Sequence, residues 1–222
     1  MKQVLITGRS GYIGSSLAHF LETRCPADYR VSLLSLRDGL WRQADFSRYD
    51  AVVHAAGIAH IRETAENAPL YYQVNRDLAV ELAEKAKQDG VGKFLFISSG
   101  SVYGLTEGVI TQNTPACPVS AYGKSKLQAE EAIASLRSED FTVIIFRPMM
   151  VYGEGCKGNY QALVKLARIL PVLPDYHNRR SLVSIDTLCE KMQEMIAKES
   201  RSGICFPREQ ADLCTCEMIQ QI

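Results

Sequence analysis

Short apolar runs separated by longer stretches of helical period constrain this chain more than any single motif. The runs cover residues 3–6, 31–36, 51–54, 93–98 and 142–146. None alternates apolar with polar residues, so each is expected to be covered on both faces, as strands of a parallel sheet are. Between them lie residues 12–23, 69–88 and 121–137, with apolar positions three and four apart. Strands and crossover helices in turn predict an α/β fold on a doubly wound parallel sheet. The interval 37–50 is too short for a full strand and crossover helix, so the third strand is expected to be abbreviated.

Beyond Phe146 the pattern changes. Gly153, Gly155 and Gly158 make a turn-rich break, and the next 64 residues hold two helical stretches and a strand candidate at 181–185. Residues 1–152 are therefore expected to form the main domain. Residues 153–222 are expected to form a small, truncated C-terminal lobe that does not fold alone. With 25 basic and 25 acidic residues, the chain lacks the charge excess of a nucleic-acid binder, which leaves a small molecule as the expected partner. The seven cysteines are odd in number and scattered through apolar segments, as reduced thiols are. Cys214 and Cys216 stand close together without the further ligands of a metal site, so no metal is expected. Three apolar residues before Thr7 are too few for a signal-peptide core, and no window reaches the ~18 apolar residues of a membrane span. A cytoplasmic protein is the expectation.

The first run leads into Thr7-Gly8-Arg9-Ser10-Gly11-Tyr12-Ile13-Gly14, with glycines three apart at the passage from strand to helix. Gly8 permits a tight turn, Gly11 removes a side chain that would block close approach to phosphate oxygens, and Gly14 lets helix and strand pack closely. A dinucleotide's pyrophosphate binds at such a junction. The end of the second run reads Leu34-Ser35-Leu36-Arg37-Asp38, with Ser35 where an acid would contact the adenosine ribose. Arg9 and Arg37 together favour NADP over NAD, through a 2′-phosphate; alternatively both are solvated and Asp38 contacts the ribose.

Tyr122 and Lys126 are four apart at the start of a helix and share a face. A phenol, with a pKa near ~10, serves as a base only beside a cation that favours the phenolate, and Lys126 is placed to be one. Lys124 points elsewhere. The run at 93–98 opens into a polar loop at the sheet's carboxyl edge. There Ser98, Ser99 and Ser101 either offer a hydroxyl to a substrate oxygen or satisfy turn backbone.

Seven segments occur in order: TGRSGYIG (7–14), HAAG (54–57), YYQVN (71–75), SSGSVYG (98–104), YGKSK (122–126), RPMMVYG (147–153) and RRSLVSID (179–186). On these the chain resembles the extended short-chain dehydrogenase/reductase superfamily, within it the NAD-dependent epimerase/dehydratase family typified by UDP-glucose 4-epimerase. The resemblance implies a Rossmann-type dinucleotide-binding domain and a substrate lobe. It implies Tyr122 as acid/base, Ser99 as the hydroxyl sharing the substrate's proton, and Lys126 as the residue that holds the nicotinamide ribose and lowers the tyrosine's pKa. His54, Ala55, Ala56 and Gly57 would line the cofactor, with Ser98 and Asn75 near it; His54 equally reads as a strand-end residue satisfied by backbone. Arg180 would pair with a nucleotide-sugar's diphosphate.

The implied activity is NAD(P)-dependent epimerisation of a sugar nucleotide. An NADP-dependent reductase of a 4-keto sugar or other carbonyl compound, and a nicotinamide-binding sensor or subunit with vestigial chemistry, are the alternatives. Met149 and Met150 stand where many relatives carry an asparagine. A homodimer through helix 121–137 is also implied.

Overall fold

The computed structural model describes residues 1–59, 61–156, 181–209 and 214. Strands β1 (Lys2–Thr7), β2 (Tyr29–Leu34), β3 (Ala51–His54), β4 (Lys93–Ile97), β5 (Thr142–Phe146) and β8 (Gly203–Cys205) form one parallel sheet in the order β2-β1-β3-β4-β5-β8. Strands β6 (Met150–Tyr152) and β7 (Leu182–Ser184) pair separately. The four central strands read as continuous apolar runs because neighbours lie on both sides and helices on both faces. β2 is an edge strand whose exposure varies along its length, and it lies two residues earlier than the apolar run suggested. An edge strand need not be apolar throughout, so apolarity alone misplaces it.

Helix α1 (Tyr12–Arg24) packs on one face of the sheet through Leu17, Ala18 and Leu21. The other face carries α2 (Ala68–Tyr71), a π-helical turn (Tyr72–Asp77), α3 (Leu78–Gln88) and α4 (Ala121–Ser135). Leu82, Ala83 and Ala86 of α3 and Ala129 and Ile133 of α4 are buried there. The short crossover between β2 and β3 holds only a 3-10 turn (Leu40–Gln43), and β3 is four residues long, as the interval predicted. Trp41, Phe46 and Tyr49 fill the face that a longer crossover helix would cover.

Helix α5 (Ile185–Ala197) lies beside α1. Its buried Leu188, Cys189, Met192 and Ile196 form one stripe at helical spacing, joined to the α1 core. Lys2 at the start of β1 donates to the carbonyls of Ile196 and Ala197 at 2.8 and 3.0 Å, capping the C-terminal end of α5. Residues 185–205, assigned from sequence to the C-terminal lobe, thus belong to the main sheet and its helical layer. An apolar stripe of this width needs a large partner, and β6–β7 is too small to provide one. Residues 157–180, with Gly158 of the expected turn-rich break, lie outside the described residues.

Candidate active site

Loops leaving the carboxyl ends of β1, β3 and β4 converge where adjacent strands are in register, Thr7 opposite His54 and His54 opposite Phe96. Gly8 takes φ +84°, and Gly11 N–H donates back to Gly8 O at 2.7 Å. A Cβ on Gly8 would stand 2.8 Å from Ala56 N, and one on Gly14 2.7 Å from Gly8 O. The turn therefore closes only with glycine at both positions. Gly11 caps α1 without a side-chain hydrogen bond, and no acidic residue stands in the helix's first turn. First-turn N–H groups at the positive end of a helix, beside an unobstructed backbone, fit a dinucleotide's pyrophosphate. Arg9 and Ser10 are exposed on this loop, while Tyr12 and Ile13 are half-buried. A Cβ on Gly153 would lie 2.9 Å from Tyr12 Oη, so Tyr12 packs against the segment after β6.

Beyond β2, Ser35 Oγ accepts from Arg37 N–H at 3.4 Å, and the Arg37 side chain is exposed. Asp38 Oδ1 accepts from Leu40 N–H at 3.1 Å, which engages one oxygen of this acid in its own turn.

His54 is wholly buried. Its Nδ1 hydrogen-bonds Thr7 Oγ1 at 2.8 Å, and its ring stacks at 5.9 Å on Phe96. Burial first, and the Lys126 charge second, push its pKa down to about 3. The imidazole is therefore a neutral group at the strand end, partnered by the Thr7 side chain rather than by the backbone partner expected of a structural histidine. Ala55 and Ala56 pack their backbone against Gly8. Asn75 is also buried: its Oδ1 accepts from Ile58 N–H at 2.8 Å and its Nδ2 donates to Ile58 O at 3.0 Å. A Cβ on Gly57 would stand 2.8 Å from Asn75 Oδ1. Asn75 thus clamps the Gly57–Ile58 loop, and it does so from a π-helical turn, a feature frequent at functional sites.

At the end of β4, Ser99 caps a 3-10 turn (Gly100–Tyr103): its Oγ accepts from Ser101 N–H and donates to Ser101 Oγ, both at 3.1 Å, and it stands near enough to the Tyr122 phenol to lower its pKa. Tyr122 enters α4 just after Ser120, whose Oγ accepts from Gly123 N–H at 3.1 Å. Tyr71 meets the Tyr122 ring edge-on at 6.2 Å. Burial raises the phenol's pKa, the Ser99 hydroxyl lowers it, and Tyr71 raises it, with a net upward shift. Lys126 is buried, donates to Ile97 O at 2.8 Å and stands 4.7 Å over the Phe96 ring. Burial pushes its pKa down to about 8, against a raising influence from Glu130. The net shift of the phenol is upward, against the lowering expected of Tyr122. The ammonium is directed at a carbonyl rather than at the phenol. Lys124 is exposed, as its position predicted.

Ser98, expected near the cofactor, has its side chain engaged within the protein. Its hydroxyl turns inward and donates to Glu130 Oε1. Sequence reading also missed Glu130, Tyr71 and Arg147 as parts of the site. Glu130 had a legible signal, since Tyr122, Lys126 and Glu130 recur every four residues on one helix face. Met149 packs against Gly100, where a Cβ would come within 2.2 Å of its Sδ. Arg180 lies outside the described residues. Among the described residues no group of three or more His, Cys, Asp or Glu side chains could hold a metal ion, and no helix is long and apolar enough to cross a membrane.

The model of the NAD-dependent epimerase/dehydratase family matches residues 4–202. UDP-glucose 4-epimerase of Vibrio cholerae is 32% identical, over all of this chain and 75% of that protein. The chain spans about half the length of other curated relatives it matches. RMD from Pseudomonas aeruginosa, solved with NADPH, shares the fold with a TM-score of 0.78 at 21% identity, over 99% of this chain and 80% of that one. UDP-glucuronic acid 4-epimerase from Bacillus cereus, solved with NAD, does so with 0.79 at 20%, over 96% and 79%. A family model spanning most of the chain and a relative at this identity over its whole length agree, and the chain belongs to the NAD-dependent epimerase/dehydratase family.

Proposed function

We propose that the protein epimerises a hydroxyl-bearing carbon of a nucleotide sugar, using NAD(P). The nearness of the Ser99 hydroxyl to the Tyr122 phenol carries this reading, because it brings two hydroxyls together at the carboxyl end of the sheet. Gly8, Gly11 and Gly14 would hold the pyrophosphate, and Lys126 the nicotinamide ribose. A bound nicotinamide supplies the chemistry of accepting a hydride from the sugar carbon and returning it. Tyr122, as phenolate, takes the proton of the sugar hydroxyl, and Ser99 holds that oxygen in line. Tyr122 returns the proton when the keto sugar is reduced. Burial and Tyr71 oppose the phenolate, so the Ser99 hydroxyl and positive charge nearby must favour it. Arg180 is proposed to anchor the diphosphate while the sugar turns over. A homodimer through α4 belongs to the same proposal.

Tyr122→Phe should lower turnover of UDP-sugars by at least about 10³-fold while dinucleotide affinity stays within a few fold, measured by product analysis and fluorescence titration. Unchanged turnover would sink the reading.

A second reading, an NADP-dependent reductase of a keto sugar or other carbonyl compound, draws support from Arg9 and Arg37. Both are exposed on loops that leave neighbouring strands at the same edge. Arg37→Ala should weaken NADPH binding about tenfold, some 1.4 kcal/mol, and leave NADH binding unchanged. Equal affinities for the two cofactors in the parent protein would remove that support. No turnover of any UDP-, GDP- or dTDP-sugar with either cofactor would instead favour a nicotinamide-binding subunit.

A further inference from the structure

The helix that carries Tyr122 holds one more buried charge, which the chemistry above does not use. Glu130 is 2% exposed and lies one turn beyond Lys126 on the same face. Its carboxylate is held by two partners from other elements. Ser98 Oγ donates to Oε1 from the end of β4. Arg147, just after β5, donates through Nε to both oxygens at 3.1 and 3.0 Å, and through a second nitrogen to Oε2. Arg147 also donates to Tyr103 Oη at 2.7 Å, and Tyr103 ends the 3-10 turn that Ser99 caps. The network therefore grips the backbone around Ser99 from both sides. Packing alone does not explain it, since apolar side chains of similar volume fill such a space with less desolvation cost. Directional bonds to several elements do.

We infer that Glu130 is a positioning residue: with Arg147 it locks the Tyr122 face of α4 to the backbone flanking Ser99, and so sets the spacing between phenol and serine hydroxyl. This rests on the acid–base reading of Tyr122 and Ser99.

Glu130→Gln keeps the volume but presents an amide N–H₂ to the Arg147 fork, so the grip loosens. The expected result is a fall in kcat of roughly 10- to 100-fold, the effect of a misplacement near 1 Å, with KM within about threefold and dinucleotide affinity unchanged.

A second readout needs no turnover. The carbon-13 Cζ resonance of Tyr122, identified by its loss in Tyr122→Phe, is followed against pH in the dinucleotide-free protein. Ser99 from the β4 end and Tyr71 from α2 face the phenol, while Lys126 directs its ammonium to Ile97 O. Because the nearby Ser99 hydroxyl lowers the phenol's titration, moving the two apart shifts that titration upward. If Glu130→Gln does not fold, Glu130→Gln/Arg147→Met removes both charges and is measured in the same way. Wild-type kcat with an unmoved Tyr122 titration, in whichever variant folds, overturns the inference. If the parent protein turns over no nucleotide sugar, the proposed reaction fails, and the resonance alone then decides whether Glu130 places Tyr122 against Ser99.

Discussion

Lys126 brings a positive charge into a place that resists it. The residue is 4% exposed, and burial lowers its pKa from 10.5 to about 8, which corresponds to about 3 kcal/mol of stability forgone while it stays charged. Between those two values the unfolded chain holds a proton that the folded protein releases, so stability rises with pH across the window. Below about pH 8 the penalty is constant. Lys126→Met removes the penalty and leaves Ile97 O unpartnered, at a cost of about 1–3 kcal/mol. The variant should therefore be at least as stable as the parent at pH 7 and fall behind it above pH 10.5, as read from denaturant midpoints. A loss of more than about 2 kcal/mol at pH 7 would show that the lysine supports the fold. A stability penalty retained at an acid–base site is the expected signature of a residue kept for chemistry.

At the scale of elements, the close approach of α1 to the end of β1 governs the cofactor side. Gly14 needs no unusual φ, yet its Cβ would stand 2.7 Å from a backbone oxygen, which cannot swing aside. Gly14→Ala should cost about 1–3 kcal/mol and weaken dinucleotide binding. Gly203→Ala in β8, where nothing lies within 4 Å of the added carbon, serves as the control with both properties unchanged. The pattern of the glycines was legible in the sequence because turn chemistry is local. The role of Asn75 was not, because its partner Ile58 lies 17 residues away. The partner of Ser98 was hidden for the same reason: an adjacent serine pair looks alike in sequence, and only the pleat decides which hydroxyl faces Glu130.

For the whole molecule, the last described helix decides how the parts cohere. Met192 of α5 is fully buried in the core that also holds Leu17 and Leu21 of α1. Met192→Ala should lower stability by about 2–5 kcal/mol and shift one unfolding transition seen alike by far-UV circular dichroism and tryptophan fluorescence. The single tryptophan, Trp41, lies on the opposite face of the sheet from α5, so it reports on a distant part of the fold. Two separated transitions would mean that residues 185–205 form a unit of their own.

By itself the sequence determined the parallel α/β class, the glycine turn after β1, the shortened second crossover and the pairing of Tyr122 with Lys126 on one helix face. These follow from periodicity and from spacings of a few residues, which act locally. Tertiary structure alone decided that 185–205 joins the main sheet, that His54 and Asn75 support loops from within, and that Lys126 addresses Ile97 O. It also decided that Ser98 and Glu130 tie β4 to α4. Each of these depends on which distant backbone group a buried polar side chain meets, and burial makes that choice strict, since an unpaired polar group away from water is costly.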